Sequence, residues 1–468
     1  MSVFLITRKK VMISVMALVI LFVALLSRYA NNGHKIVKYP DGAIQRDYTL
    51  KNGRLNGPAT WYYENGTLRT EGEFKNGLKH GGRKEYYENG RIKEISEWRD
   101  NKLEGLYLEY YENGCLKTKS RFENGMQNGL RQEYDEEGKL MSEAFWKDNR
   151  QHGLLRVYYP GGTVKVESNF FMGMQHGNRK EYYPTGELRA EGNWIGDALE
   201  GVLKEYAEDG RILAESHFVK GLQDGIRREY YDTGKLRSEG NWRGGRKDGP
   251  VTWFYLNGNK EVESNFVLDN QEGLRYDYYD DGSLKAESLW RDNKQNGETR
   301  WYYQNGQLAS VSHWKDGMQD GARLEYDEQG AFRAESYWIA DRQNGPMKVY
   351  DEEGVLESES WWADNVPDGL TRVYFPDGKL YLEENYIKGQ LHGVRKEYYE
   401  NGNLKSEGQY KEGLPDGLTR EYYKNGKLGG ELNYRSGKGD GRITYYDEAG
   451  QRILEELYED GVLIQKIK

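Results

Sequence analysis

Cysteine is almost missing from this chain: Cys115 is the only one in 468 residues, which excludes an intrachain disulfide framework and a zinc cluster built on thiolates. Positive charge is short as well. Lys and Arg number 67 against 76 Asp and Glu, a formal net charge of -9. A nucleic-acid binder needs a basic stripe to neutralise phosphates, and none is present. The same balance weakens docking onto anionic lipid by charge. Apolar residues make up 37% and the mean hydropathy is -0.96, too polar to hide a large globular core. No nucleophile elbow, phosphate-binding loop or cluster of metal ligands occurs, so the sequence predicts no enzyme and no cofactor. What the chain has in excess is aromatic. Its 39 Tyr, 12 Trp and 12 Phe are too many for a disordered polymer, and a thin, solvent-exposed sheet accommodates both facts.

The stretch EYYENGRIKEISEW at Glu85–Trp98 returns as EYYENGNLKSEGQY at Glu397–Tyr410. The glycine that closes ENG recurs every 24 residues from Gly42 through Gly66 and Gly90 to Gly450, and a second series runs at the same interval from Gly57 to Gly441. A fixed period of this size marks an array in which each unit packs only on its neighbours. It overrides the prior of roughly 150 residues per domain that length alone would give.

Residues 1–32 differ in kind. Arg8, Lys9 and Lys10 precede an apolar run from Val11 to Leu26, 16 residues broken only by Ser14. As a helix this is roughly 24 Å, a little short of the roughly 30 Å hydrocarbon layer. Two readings are open, a signal anchor and a cleaved signal. Ala30 with Arg28 two residues before it makes a poor peptidase site, which favours the anchor. The expected organisation is a cytoplasmic basic segment at 1–10, a transmembrane anchor at 11–27, a linker at 28–32 and repeats at 33–468. The cationic flank sends the repeats to the extracytoplasmic side.

One repeat, Gly57–Gly81, reads as a β-hairpin. A β-rich run is followed by Asn65-Gly66, the signal of a two-residue type I′ turn. The second connection is also a turn. The row of Gly77 holds only Gly, Asn or Asp, residues that tolerate positive φ. Pairing Glu64 with Thr67 sets Tyr63 opposite Leu68, residue 61 opposite 70 and 60 opposite 71. Charge supports this register: Glu fills the row of residue 71 in 14 of 17 repeats, and basic partners face it in Arg156/Glu167, Lys180/Glu191, Lys204/Glu215, Arg228/Glu239, Lys348/Glu359, Arg372/Glu383, Lys396/Glu407 and Arg420/Glu431.

Two faces separate. The more buried one carries Leu68, Tyr63 and a structural aromatic row, Phe74, Trp98, Phe122, Trp146, Phe170, Trp194, Trp242 and Trp290, beside small residues in the row of Gly72. The other carries a tyrosine ladder among charges: Tyr62, Tyr86, Tyr110, Tyr134, Tyr158, Tyr182, Tyr230, Tyr278 and Tyr302. This ladder is the candidate interaction surface, with self-packing of sheet-forming residues as the plainer reading. The aromatic row alternates Phe and Trp, and Arg83, Arg131, Arg179, Arg227, Arg275 and Arg323 travel with Trp at 48-residue spacing. Duplication of two-repeat blocks and Arg-over-Trp cation–π contacts both account for that.

The pattern YYENGxLKxEGxW, followed by a Gly-rich turn and DG or HG, resembles the MORN-repeat variant of bacterial proteins of the YwqK type, from about Gly33 to the C-terminus. The resemblance implies an all-β fold, an elongated single-layer sheet of about 17 stacked hairpins, and a binding or scaffolding role. Some members of that family are labelled antitoxins. The period of 24 and the missing close Gly-x-Gly pair depart from the eukaryotic pattern, so phospholipid recognition does not carry over.

His80, His152, His176 and His392 share one loop position, yet equivalent positions lie about 9 to 10 Å apart, too far to share a zinc. The Glu row makes no glycosidase cleft, since the same geometry repeats along an open sheet. The expected function is a membrane-anchored, non-enzymatic scaffold for protein–protein interaction. A carbohydrate or cell-wall binder using the aromatic rows and an antitoxin-like binding protein are the alternatives. The expected partner is a protein or an extended glycan, and open sheet edges invite a homodimer.

Overall fold

The computed structural model describes residues 2–468. Of the basic segment 1–10, Met1 lies outside the described residues. The chain opens with a helix, Ser2–Ala30, and continues in strands alone from Gly33–Lys38 to Val462–Lys466. It divides into two compact units between Gly225 and Ile226, within the strand Leu222–Tyr230.

In the first unit the stretch Arg8–Tyr29 is long and apolar enough to cross a membrane, and none of it is buried against the rest of the chain. Its 22 residues span about 33 Å at 1.5 Å each, more than the apolar run alone gives. The strands that follow form an open antiparallel meander up to Ile212–Val219. Each packs on the strand before and the strand after it in sequence. The second unit repeats the arrangement from Leu236–Arg243 to Val462–Lys466. This is the all-β hairpin array that the sequence predicts.

The register at the middle of each hairpin is also as expected, with Trp61 opposite Thr70 and Thr60 opposite Glu71. The turns are not. Asn65-Gly66 does not form the type I′ turn. The Gly66 N–H bonds the Tyr63 carbonyl at 3.0 Å and the Tyr63 N–H bonds the Thr67 carbonyl at 2.8 Å. Gly66 alone has positive φ, +85°, and the pairing slips so that Tyr62, not Tyr63, faces Leu68. A four-residue turn closed by a left-handed glycine bulge has this signature. Asn65 is selected for its side chain instead of a left-handed backbone. Its Oδ1 accepts the Thr67 N–H at 2.8 Å and its Nδ2 donates to the Glu88 carbonyl of the next repeat at 3.3 Å.

The two-residue turn with positive φ at both positions is the other one, Asn76 at 54° and Gly77 at 86°, closed by the Lys75–Leu78 pair. The row of residue 76 includes Met172, Leu268 and Ala340, all at φ near 50°, which hides it from inspection of residue types. Each turn leans on the repeat before it through the Gly77 N–H, which bonds the Leu55 carbonyl at 2.8 Å.

The second glycine series marks a bulge. Between the pairs Gly72/Arg83 and Phe74/Lys79 the later strand carries two extra residues, and Gly81 sits there at φ +84°. Its equivalents all have positive φ, up to +128° at Gly369. At Gly129, Gly369 and Gly393 the bulge splits the strand in two.

Candidate functional site

The rows of residues 59, 61, 70, 72 and 74 share one face, and here lie the least exposed side chains, among them Ala59, Ser96, Ser168, Ser288 and Thr299. The aromatic row covers them. Trp98, Trp290, Trp314, Trp338 and Trp362 each donate the indole N–H to the serine two residues earlier, at 2.8 to 2.9 Å. The small residue therefore does two things. It accepts a bond where it is serine, and where it is glycine it leaves space. A Cβ on Gly240 would stand 2.9 Å from Trp242 Cζ3. At Trp146, where Ala144 replaces the serine, the indole nitrogen is buried without a partner.

The 48-residue alternation has physical content on this face. Arg131, Arg179 and Arg275 lie over Trp146, Trp194 and Trp290 with the guanidinium 5.9, 5.6 and 5.8 Å from the ring centre. The same arginines bond Glu133, Glu181 and Asp277 two residues on.

The opposite face holds the tyrosine ladder and the Glu row. Arg156 sits between Glu143 at 3.4 Å and Glu167 at 2.8 Å, and Arg372 between Glu359 at 3.1 Å and Glu383 at 2.9 Å. The predicted contacts of Glu191, Glu215, Glu239 and Glu431 also form. Lys348 and Lys396 keep register with Glu359 and Glu407, but those acids turn to Arg372 and Arg420 of the following repeat. Such exposed pairs fix alignment more than they stabilise.

Several of the ladder's hydroxyls are taken up by this network. Tyr86 donates to Glu71 at 2.7 Å, Tyr158 to Glu143 at 2.8 Å, Tyr182 to Glu167 at 3.1 Å and Tyr278 to Glu263 at 2.6 Å, each one repeat back. Tyr134 bonds Gln132, and Tyr62 accepts from Thr60. Tyr110, Tyr230 and Tyr302 stand at the same strand position, half-buried like the rest. Burial and the bond to Glu71 push the Tyr86 hydroxyl up to about 12, and burial with Glu143 does the same at Tyr158. In return the Tyr86 hydroxyl, aided by Lys84, holds the Glu71 carboxyl below its ordinary value. A raised folded-state value means stability that is full below pH 10 and is lost as pH climbs through about 12. Spectrophotometric titration at alkaline pH is expected to resolve a late tyrosine class near 12, merging with the ordinary class in urea.

The sequence missed one row altogether in this role. Tyr63 donates to the Tyr86 carbonyl at 2.8 Å, Tyr87 to Tyr110 at 2.7 Å, Tyr159 to Tyr182 at 2.9 Å, and Tyr255, Tyr279, Tyr303, Tyr399 and Tyr423 continue the pattern. Each hydroxyl pins a repeat to the backbone of the next. Where the row turns to aspartate, as at Asp135 and Asp351, the carboxylate instead caps its own turn, accepting from Lys139 and Val355 at 2.7 Å. The acceptor is a main-chain carbonyl, so no partner side chain records the bond.

The histidine position is corrected. His80, His152 and His176 lie within strands, not loops, and His392 sits at the break between the strands Gln390–Leu391 and Gly393–Tyr398. Acids in the same row cap the next two-residue turn, Glu104 accepting from the Asn124 N–H and Glu200 from the Lys220 N–H at 2.8 Å. Among the described residues no three His, Cys, Asp or Glu are grouped to hold a metal ion.

Comparison with known proteins agrees with the geometry. The family described as "MORN repeat variant" matches residues 55–76, 79–100, 103–124, 127–148, 151–171, 175–195, 223–243, 247–267, 271–292, 295–316, 343–360, 367–388, 391–412 and 415–436. No curated protein matches the chain. Similar solved structures include the crystal structure of TcdB2-TccC3-Cdc42, at 12% identity over 93% of this chain and 28% of that one with a TM-score of 0.15. The crystal structure of TcdB2-TccC3 gives 13% identity over 93% and 29%, with a TM-score of 0.14. The Photorhabdus luminescens Tc holotoxin pore gives 12% over 93% and 28%, with a TM-score of 0.15. The chain spans less than a third of the length of these solved chains.

Proposed function

The chain belongs to the MORN repeat variant family, whose repeats make binding scaffolds, and from that premise we propose that it is a membrane-anchored, non-enzymatic scaffold that presents its hairpins to a protein partner on the extracytoplasmic side. The observation that carries this reading is the helix. Val11, Met12, Ile13, Leu18, Ile20 and Phe22 are each more than half exposed, in an apolar run, broken only by Ser14, that no repeat matches. An apolar helix left bare in water has a bilayer as its natural solvent. Arg8, Lys9 and Lys10 on its leading side favour a cytoplasmic N-terminus, with the anchor at 11–27 and the repeats at 33–468 outside.

Protease added to intact cells tests the orientation. The expected result is digestion of the repeats with the membrane fraction retaining the helix; full protection of the repeats would contradict it. Affinity capture on the repeat region tests the binding partner. Retention on peptidoglycan or polysaccharide would replace the protein partner by a glycan, and stoichiometric enrichment of one small protein would favour antitoxin-like sequestration.

A further inference from the structure

The buried aromatic face supplies its own cations in several places. Arg131, Arg179 and Arg275 each sit over a tryptophan and bond an acid two residues further on, Glu133 and Glu181 at 2.5 Å and Asp277 at 2.6 Å. In the second unit one repeat keeps the acceptors and lacks the donor. Its residue in the arginine row is Thr419, the acid two residues on is Glu421, and the ring in the tryptophan row is Tyr434. Glu421 is exposed, and among the described residues no side chain donates to its carboxylate.

Tyr410, Tyr434 and Tyr445 stand around Glu421 and Thr419, lining a hollow of about 550 Å³. That size suits a small ligand or a single side chain with its flanks. The three rings are half-buried, so their positions are fixed, yet their hydroxyls bond nothing among the described residues and no cation lies over them. Burial first raises both the Tyr434 and the Tyr445 hydroxyl, followed at Tyr445 by the charge of Glu421 and at Tyr434 by Tyr445 and then Glu421, which places that carboxylate within their field. Glu397 on the far wall is already bonded by Lys405 and Arg395 and offers no vacancy. Glycines lie against the rings and the threonine that line it. A Cβ on Gly430 would lie 3.4 Å from the Tyr445 ring, and one on Gly408 would lie 3.4 Å from the Tyr410 ring and 2.8 Å from Thr419 Oγ1.

We propose that this hollow binds the guanidinium of an arginine side chain presented by a partner polypeptide, seated where the chain's own arginine sits in the equivalent repeats. Glu421 receives the planar fork in two parallel hydrogen bonds and the tyrosine faces receive the delocalised charge. An ammonium, compact and strongly hydrated, exploits neither as well. The polypeptide source rests on the protein-binding reading of the repeats; the guanidinium site does not, and stands even if the repeats prove to lie on the cytoplasmic side.

Calorimetric titration of the full chain with a short glycine-flanked arginine peptide, its glutamine analogue and N-acetylarginine amide tests it. The arginine peptide is expected to bind at least tenfold more tightly than the glutamine peptide. Glu421→Gln is expected to weaken it at least tenfold. Thr419→Arg supplies the missing internal arginine and is expected to abolish binding with an unchanged or higher melting temperature, which separates occupation of the site from misfolding. Equal binding of the two peptides, or binding that survives Thr419→Arg, overturns the site. N-acetylarginine amide binding as tightly as the peptide overturns the polypeptide source.

Discussion

Gly369→Ala is expected to lower the unfolding free energy of the second unit by about 3 kcal/mol, seen as a fall in urea midpoint at constant slope. Two independent effects add. Residue 369 sits at φ +128°, a region that only glycine visits without strain, because the bulge at the start of its strand must admit two extra residues. A Cβ there would also stand 2.9 Å from the Cβ of Trp361, a backbone-anchored atom that has no rotamer to retreat into. Gly393→Ala separates the two. Its φ is +91° but nothing lies within 4 Å of the added carbon, so only the torsional strain of about 1 to 2 kcal/mol applies. Gly82→Ala has ordinary φ and open space and is expected to be neutral or slightly stabilising. If all three behave alike, the strain account of the glycine row is wrong.

The second large effect lies on the aromatic face. Trp290→Ala removes the ring that covers Ser288 and Thr299, which are 5% and 1% exposed, and leaves Arg275 without the face it lies on. Large-to-small substitutions of this kind cost about 3 to 5 kcal/mol, and the incomplete burial of the ring places this one near 3. Trp290→Phe keeps a ring but loses the bond to Ser288 Oγ at 2.8 Å, and is expected to cost about 1 kcal/mol. Chemical denaturation followed by far-ultraviolet dichroism measures both. Near-equal losses for Ala and Phe would mean the indole N–H, rather than the ring's coverage, carries the stability.

These rows differ in how openly the sequence displays them. The pairing of residue 60 with 71 is legible because opposite charges record it in side chains, as Arg156 and Glu167 do. The burial of the aromatic row is legible from the small residues beside it, Gly240 beside Trp242 being one case. The turns are exchanged. Asn-Gly is the common mark of a type I′ turn, yet Asn65 works through its amide, while the real two-residue turn tolerates Met172 and Leu268 at its first position. The Tyr63 staple is not legible because its acceptor is a carbonyl that every residue owns. The tyrosine ladder reads as an open surface, whereas Glu acceptors one repeat back engage several of its hydroxyls. Spacing reveals a row but not a bond between rows.

Removal of one whole repeat examines the underlying premise, that each hairpin depends only on its immediate neighbours. Deleting residues 283–306 joins Gly282 to Gln307 at equivalent positions of successive turns and preserves every face and register around the cut. Its thermal unfolding is expected to stay cooperative with a midpoint within a few degrees of the parent. Deleting 283–294 instead removes a single strand with its turn, inverts the faces that follow, and is expected to abolish the transition. A 24-residue deletion that unfolds the second unit as thoroughly as the 12-residue one would contradict the account.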